Sequence, residues 1–307
     1  SNKTYKSELV FKMKLIYYKS QQGNIGDDLN VWLWKKIFGD DFFNKNEEVA
    51  FLGIGSILLE NSDYLKEASK FKKKIIFGSG VRSINEKFHF DDSWEFFFTR
   101  GPFSSLKTTY VSENYITDSA YFLALTQEYK KFINQPKKYN ISYIPYYASV
   151  DKVDWKVICD ELGWNLILPT GNNVEKFIAQ VAASEMIISE AMHGAIIADI
   201  LRIPWKRSRY YSHIFEGEMV SEFKWNDWLY SIDVFENNYI NCIKKPKKLK
   251  HKIVNSGYYN KKNQNRILAT LKKHERIPFN LSSDTRFNEI VKDLKLKKNK
   301  LIDTYLQ

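Results

Sequence analysis

The sequence predicts an α/β protein: two Rossmann-like units facing each other across a cleft, with C-terminal helices packed on the body. Three observations predict it. Short β-rich runs alternate with helical stretches, and this happens twice along the chain. Most of the early runs end in loops containing Gly, Asn or Arg, as strands of an open parallel sheet do where they meet a ligand. Past Lys245 the alternation stops and only helix-period apolar spacing remains. The 307 residues suffice for two units of ordinary size, read as 13–130 and 139–244, followed by a helical segment over 245–307.

In the first unit strands are expected over 15–18, 49–52, 74–77, 95–99 and 109–111. The loop Gly23-Asn24-Ile25-Gly26-Asp27-Asp28 follows the first of them and opens an amphipathic helix through Leu29, Leu33, Ile37 and Phe38. Its glycines allow a sharp turn, and Asp27 or Asp28 can cap the helix. Asn24 can bond a ligand hydroxyl or phosphate, or the loop is a capped turn and nothing more. Gly53-Ile54-Gly55-Ser56 and Gly78-Ser79-Gly80 repeat the arrangement after two further strands. Residues 130–138, polar and containing Pro136, read as a linker. In the second unit strands are expected over 141–144, 166–168 and 186–189, with a helix over 153–162. A second helix is marked by Val174, Phe177, Ile178, Val181 and Ala182, with Asn173 as N-cap. In the tail, Phe287, Ile290, Val291 and Leu294 form an apolar stripe expected to pack on the body.

Composition narrows the function. Hydrophobic content of 44% with 16% aromatics suits a globular protein, and no apolar run reaches the length of a membrane span. Residues 1–12 carry four charges, lack the apolar centre of a signal peptide and read as a leader segment. Cys159 and Cys242 give neither a disulfide framework nor metal-ligand spacing, so a cytoplasmic location is expected. The net charge of +11 is concentrated in residues 245–307, which hold 17 Lys or Arg against 5 acids. The rest is close to neutral, which argues against a nucleic-acid groove. The basic tail reads as a solvated helical face or as a contact with an anionic membrane surface.

The most informative stretch runs from Ser189 to Asp199 and is closed by Ile203-Pro204-Trp205. It places His193 and Gly194 at a strand end and helix start, where unpaired N–H groups and the helix dipole favour an anion. The other reading is a core histidine beside a tight turn. His89, His213, His251 and His274 have no partner spacing, and no metal site is expected. No dinucleotide or ATP loop is present. Arg82 and Arg100 follow strands, where a guanidinium can clamp a carboxylate or phosphate, or pair with a neighbouring acid. Asp118 is a cap or an acid/base group. Glu190 could take a proton, orient a hydroxyl, or sit solvated in the first turn of a helix.

Taken in order, Gly23 to Asp27, Gly53 to Ser56, Gly78 to Gly80, Arg100 with Ser104, Asp118, and Ser189 to Pro204 resemble the polysaccharide pyruvyl transferase family. The Glu-Ala-Met-His-Gly form around His193 is similar to its exopolysaccharide ketal-pyruvate branch. The resemblance covers about residues 13–210. It implies a GT-B-like fold with the acceptor on the N-terminal unit and the donor on the C-terminal one. It also implies phosphoenolpyruvate as donor, a hexose diol of a bacterial surface polysaccharide or its lipid-linked precursor as acceptor, and no metal or organic cofactor. On this chain the implied catalytic groups are His193, Asp118 and Glu190. Donor binding falls to Arg100, Ser189, Gly194, Ser79, Arg82 and Arg207, and acceptor binding to Gly23, Asn24, Asp27 and Ser56. Aromatics such as Tyr17, Tyr18, Trp205, Tyr210 and Tyr211 could stack on sugars. The chain departs from many members of the family at Ala191, where they carry arginine, and at Gly101, where they carry aspartate; Lys206, Arg207 or Arg209 could restore the charge. A nucleotide-sugar glycosyltransferase of the same shape and an inactive glycan-binding relative are the alternative readings.

Overall fold

The computed structural model of the chain describes residues 12–43, 47–244 and 257–305. The leader expected over 1–12, apart from Lys12, and the first part of the basic tail, 245–256, lie outside the described residues. Alternating strands and helices produce two sheets, both wholly parallel among the described residues.

The first sheet has the order β1 (Lys12–Leu15), β2 (Glu47–Leu52), β3 (Lys73–Phe77), β4 (Trp94–Phe98). Its strands are joined through α1 (Ile25–Phe38), α2 (Asp63–Ala68) and the loops around them, and α3 (Pro102–Thr109) follows β4. Helix α1 stops at Gly39, whose φ of 95° suits glycine, with Lys35 and Lys36 at the negative end of the dipole. Buried Asn30 fastens α1 to the loop after β2: its amide donates to the Ile54 carbonyl, and its oxygen accepts from Ile54 N and Trp34 Nε1. After the 3-10 turn Ser119–Leu125 comes α4 (Tyr129–Ile133).

The second sheet contains β5 (Tyr139–Ile144), β6 (Asn165–Leu166), β7 (Ser184–Ser189), β8 (Trp205–Arg209) and β9 (Tyr239–Asn241), in the order β6-β5-β7-β8-β9. This is a doubly wound order. The chain goes outward from β5 through α5 (Trp155–Leu162), then returns through α6 (Val174–Ala182) to the other side, so the carboxyl ends of β5 and β7 frame a crevice. The Asn173 side chain caps α6 by accepting from Lys176 N. Helix α7 (Met192–Ile200) rises directly from β7, and α8 (Tyr211–Glu216) and α9 (Glu218–Ser231) connect β8 to β9. Helices α10 (Gly257–Leu271) and α11 (Asp284–Tyr305) follow.

One apolar cluster runs through both sheets. Trp34 meets Phe51, Phe77 and Phe122 edge to face, and the cluster continues through Ile178, Ile187 and Ala195 to Phe287, Ile290 and Leu294 of α11. Both cysteines are buried, and burial pushes each thiol up to about 12, consistent with packing.

Four expected elements differ. The first strand lies earlier than 15–18: Met13 pairs with Val49, and after Ile16 the chain turns towards Gly23. Residues 109–111 are not a strand. Pro102 starts α3, the Thr108 and Thr109 hydroxyls bond back to the Ser104 and Ser105 carbonyls, and Tyr110 ends the helix at φ 60°. The presumed linker contains α4, anchored by the Tyr129 hydroxyl donating to the Ile200 carbonyl. The strand expected at 166–168 is only Asn165–Leu166, because the chain leaves the sheet to bring the Pro169 carbonyl onto Ile25 N at the start of α1.

Candidate active site

His193 occupies the first turn of α7, just beyond the carboxyl end of β7. Its Nε2 lies 3.4 Å from Asp118 Oδ2, both atoms are buried, and neither has another hydrogen-bond partner. Asp118 is fully buried and uses its other oxygen to cap the turn at Ser119, accepting from Ala120 N at 2.9 Å. Burial pushes its carboxyl up. The His193 imidazole, the Ala120 N–H and Arg100 outweigh this and hold the carboxyl below its ordinary value. The other ring edge of His193 lies against α1, where a β-carbon on Gly26 would stand 2.3 Å from Nδ1. The side chain is 13% exposed. The first loop of the chain thus reaches the histidine segment through a contact that only glycine permits.

Beside Gly26, Asp27 is buried in the first turn of α1. The N-cap is Asn24, and neither Asp27 nor Asp28 caps the helix; Asn24 Nδ2 donates to Asp27 Oδ2 at 2.7 Å. Burial pushes the Asp27 carboxyl up to about 7, against the pull of Asn24, His193 and Lys224. Gly23, at φ 79°, makes the preceding turn against Asn172.

The α7 N-terminus has no side-chain cap, because Ala191 occupies that position. The α3 N-terminus is already filled. Asp227 of α9 accepts from Phe103 N and Ser104 N at 2.9 Å each and from the Ser104 hydroxyl, and pairs with Arg100 Nε at 3.0 Å. The rest of the fully buried Arg100 guanidinium goes to Ser56 Oγ and the Val81 carbonyl. Arg100 and Ser56 are therefore not free for donor and acceptor, since the protein supplies its own anion there. A β-carbon on Gly101 would stand 2.0 Å from the Asp227 carbonyl oxygen and 2.5 Å from Oδ1, so the carboxylate from α9 fills the space a side chain at 101 would need.

Other expected contacts are also spent internally. Ser79 Oγ donates to the Gly53 carbonyl and Ser189 Oγ to the Ala191 carbonyl. Gly194 packs against Ser189 Oγ and Ile144, so its missing side chain serves the helix–strand contact and not a ligand. Glu190 is not a solvated acid. It is buried, with Oε2 accepting from Tyr146 N and Ser149 Oγ and Oε1 from Ser212 N, which ties the loops after β5 and β8 to the end of β7. Burial outweighs these three donors and holds its carboxyl above the ordinary value. Arg207 is buried in a bidentate pair with Glu222 and stacks on Trp225. Lys206, on the opposite face of β8, donates to the His274 carbonyl. Trp205 and Tyr210 are core residues.

Arg82 is half-buried, and among the described residues its guanidinium makes no hydrogen bond or ion pair; it lies near Glu216 and Tyr64. Tyr18 meets Tyr64 edge to face at 6.2 Å and adjoins Tyr147, which packs on Tyr146 at 4.6 Å. Loops from the two sheets therefore share an aromatic rim. A groove of about 1160 Å³ adjoins α1, lined by Tyr17, Asp28, Trp32, Asn172 and Asn173 among others. Asp227 and Glu222 were not singled out from the sequence, and Gly26, read there as a turn glycine, is instead helical and packs against His193. His213, set aside there for want of a partner, is buried beside Glu222. No three His, Cys, Asp or Glu side chains cluster to hold a metal among the described residues.

Parallel sheets whose carboxyl ends meet at an imidazole backed by a buried carboxylate define an α/β protein with a candidate acid–base pair. The comparisons make the class particular. The chain belongs to the polysaccharide pyruvyl transferase family, whose sequence model matches residues 24–205. It is 34% identical over 223 residues to the succinoglycan biosynthesis protein ExoV of Rhizobium meliloti (strain 1021), a match covering 72% of this chain and 66%, just under two thirds, of that protein. Two solved structures align more loosely. Protein KP1_0663 of Klebsiella pneumoniae has 19% identity and a TM-score of 0.41, covering 72% of this chain and 91% of that one. The wall teichoic acid polymerase TagF has 11% identity and a TM-score of 0.40, covering 96% and 90%.

Proposed function

We propose that the chain transfers pyruvate from phosphoenolpyruvate to two hydroxyls of a hexose in a bacterial exopolysaccharide or its lipid-linked precursor, closing a ketal and releasing phosphate. The single observation that carries this reading, beside family membership, is the His193–Asp118 pair at the uncapped start of α7. The two sheets act as the halves of a GT-B-like arrangement. The C-terminal half takes the donor and the N-terminal half the acceptor.

The reaction balances as follows. The donor's methylene carbon takes a proton and becomes a methyl group, leaving an oxocarbenium-like centre at C2. One sugar hydroxyl attacks C2 and loses its proton, and the C2–O bond to phosphate breaks. The second hydroxyl attacks and loses its proton. Of the two hydroxyl protons, one replaces the proton donated to the methylene and the other leaves on phosphate.

The His193 imidazole, 13% exposed, moves these protons. Asp118 fixes the ring and stabilises its protonated form. The departing phosphate meets the free N–H groups at the start of α7, and Arg82 supplies a mobile cation at the rim. Asp27 and Asn24 lie beside the reacting centre and bind acceptor hydroxyls. The Tyr18, Tyr64 and Tyr147 rim stacks on sugar faces, and the groove along α1 carries the rest of the glycan. The basic tail suits contact with an anionic membrane where a lipid-linked acceptor resides. No helix among the described residues is long and apolar enough to cross a membrane.

The test is phosphate release from phosphoenolpyruvate across a panel of hexose-terminated acceptors. Release should require an acceptor and fall by about 10²-fold or more in His193→Gln. Near-normal turnover in that variant would overturn the assignment. Thermal protection by CMP or UDP sugars and none by phosphoenolpyruvate would replace the reading with a glycosyltransferase.

A further inference from the structure

The outer half of β8 and the start of α8 carry three basic side chains that the chemistry above does not use. Arg207 and Arg209 alternate on one face of the strand, and His213 comes from α8; all three face Glu222 of α9. Arg207 takes both carboxylate oxygens of Glu222, at 3.0 and 2.8 Å. Little is left for the other two. Arg209 Nε stands 3.6 Å from Glu222 Oε1, and its terminal nitrogen 3.6 Å from Glu218, whose side chain is 78% exposed. His213 Nε2 lies 2.9 Å from Glu222 Oε1 without hydrogen-bond geometry.

Arg209 Nε and both imidazole nitrogens of His213 are buried without a hydrogen-bond partner, in residues only 8% and 6% exposed. Donors buried and unpaired cost free energy until an acceptor arrives. Glu222 is taken up by Arg207 and Glu218 is exposed to water, so Arg209 keeps unused hydrogen-bonding capacity although its charge is offset. Arg209 itself is oriented by stacking 4.1 Å over the Tyr239 ring. A planar guanidinium held this way matches the tetrahedral oxyanion of a phosphoryl group.

We propose that Arg209 and His213 form a phosphoryl-binding site separate from the His193–Asp118 pair. The site is mechanically joined to that pair, because Ser212 N, next to His213, is held by Glu190, three residues before His193. Burial, Arg209 and Arg207 keep the His213 pKa below its ordinary value, so the ring accepts a hydrogen bond from a protonated phosphoryl oxygen or donates one through its single N–H. The phosphoryl group belongs either to the donor or to the diphosphate of a lipid-linked acceptor. The inference rests on the transferase reading only for that choice of source.

The experiment is calorimetric titration of the full chain with inorganic phosphate, phosphoenolpyruvate and methylenediphosphonate, for wild type, Arg209→Gln, Arg209→Lys and His193→Gln. At least one ligand should bind wild type and bind Arg209→Gln about tenfold or more weakly. Arg209→Lys, which keeps the charge and loses the fork, should fall between and decides the matter if Arg209→Gln does not fold. Loss for phosphoenolpyruvate assigns the site to the donor; loss confined to the diphosphonate assigns it to the acceptor. His193→Gln should keep phosphoryl binding, so a failure of the transfer chemistry reads separately from a failure of this site. Equal binding by wild type and both Arg209 variants, or no binding of any of the three ligands by wild type, overturns it.

Discussion

Replacing Gly26 by alanine tests the link between the first loop and His193. Gly26 is helical, so its backbone accepts a side chain, and alanine in a helix is favoured over glycine by about 1 kcal/mol. The added methyl would stand 2.3 Å from His193 Nδ1 and 2.8 Å from Cε1. Restoring ordinary contact near 3.5 Å requires the ring to move by roughly 1 Å. Overpacking of this kind costs about 1–3 kcal/mol, so after the helical gain the net loss of stability should be roughly 0–2 kcal/mol. The variant should therefore fold. Its rate should suffer more, because the same displacement breaks the 3.4 Å approach to Asp118, and a misplacement near 1 Å costs on the order of 10²-fold. The assay is the initial rate of phosphate release under saturating donor and acceptor, read beside thermal unfolding. A variant with native Tm and a rate within about twofold of wild type would refute the claim that this contact positions the ring.

Two further outcomes follow from buried carboxylates. The folded Asp27 holds its proton up to about pH 7, whereas its ordinary value is 3.8, so its contribution to stability is complete below that ordinary value and is lost as pH rises through about 7. Asp27→Asn should be more stable than wild type at about pH 8 in urea unfolding, with the gap closing below about pH 4; parallel pH profiles would contradict the burial argument. Asp227→Ala leaves Arg100 buried without its acid and strips two N–H groups of α3, and should cost about 3–5 kcal/mol in urea unfolding. A loss below about 1 kcal/mol would mean that the Arg100 charge is met in some other way.

The parts of this protein that are local in sequence were legible in it. The corner at His193 is written in consecutive residues, a strand followed at once by a helix. Asp118 could be read as a cap, and its second oxygen meets His193. Arg100 illustrates what was not legible. Its position after β4 is right for binding an anion, but the anion is Asp227, 127 residues away on a helix without a motif. Glu222 escaped notice for the same reason, and with it the burial of His213. Short-range patterns declare backbone geometry, whereas the partner of a buried charge is chosen by the way the sheets pack. Strand ends were misjudged where hydroxyls bonding back one turn prolonged a helix, as at Thr109, or a tertiary bond drew the chain out of a sheet, as at Pro169.

Helix α9 grips both sheets. Glu222 holds Arg207 at the end of the second sheet, and five residues on Asp227 holds Arg100 at the end of the first. The helix is thus a strut pinned at each end by an ion pair to a buried arginine. A wide hinge between the sheets would have to bend it or unpin one end, and each pin resists because separation strands a charge out of water. The strut therefore fixes the spacing of the two sheets and leaves freedom of movement to side chains and loops at the rim.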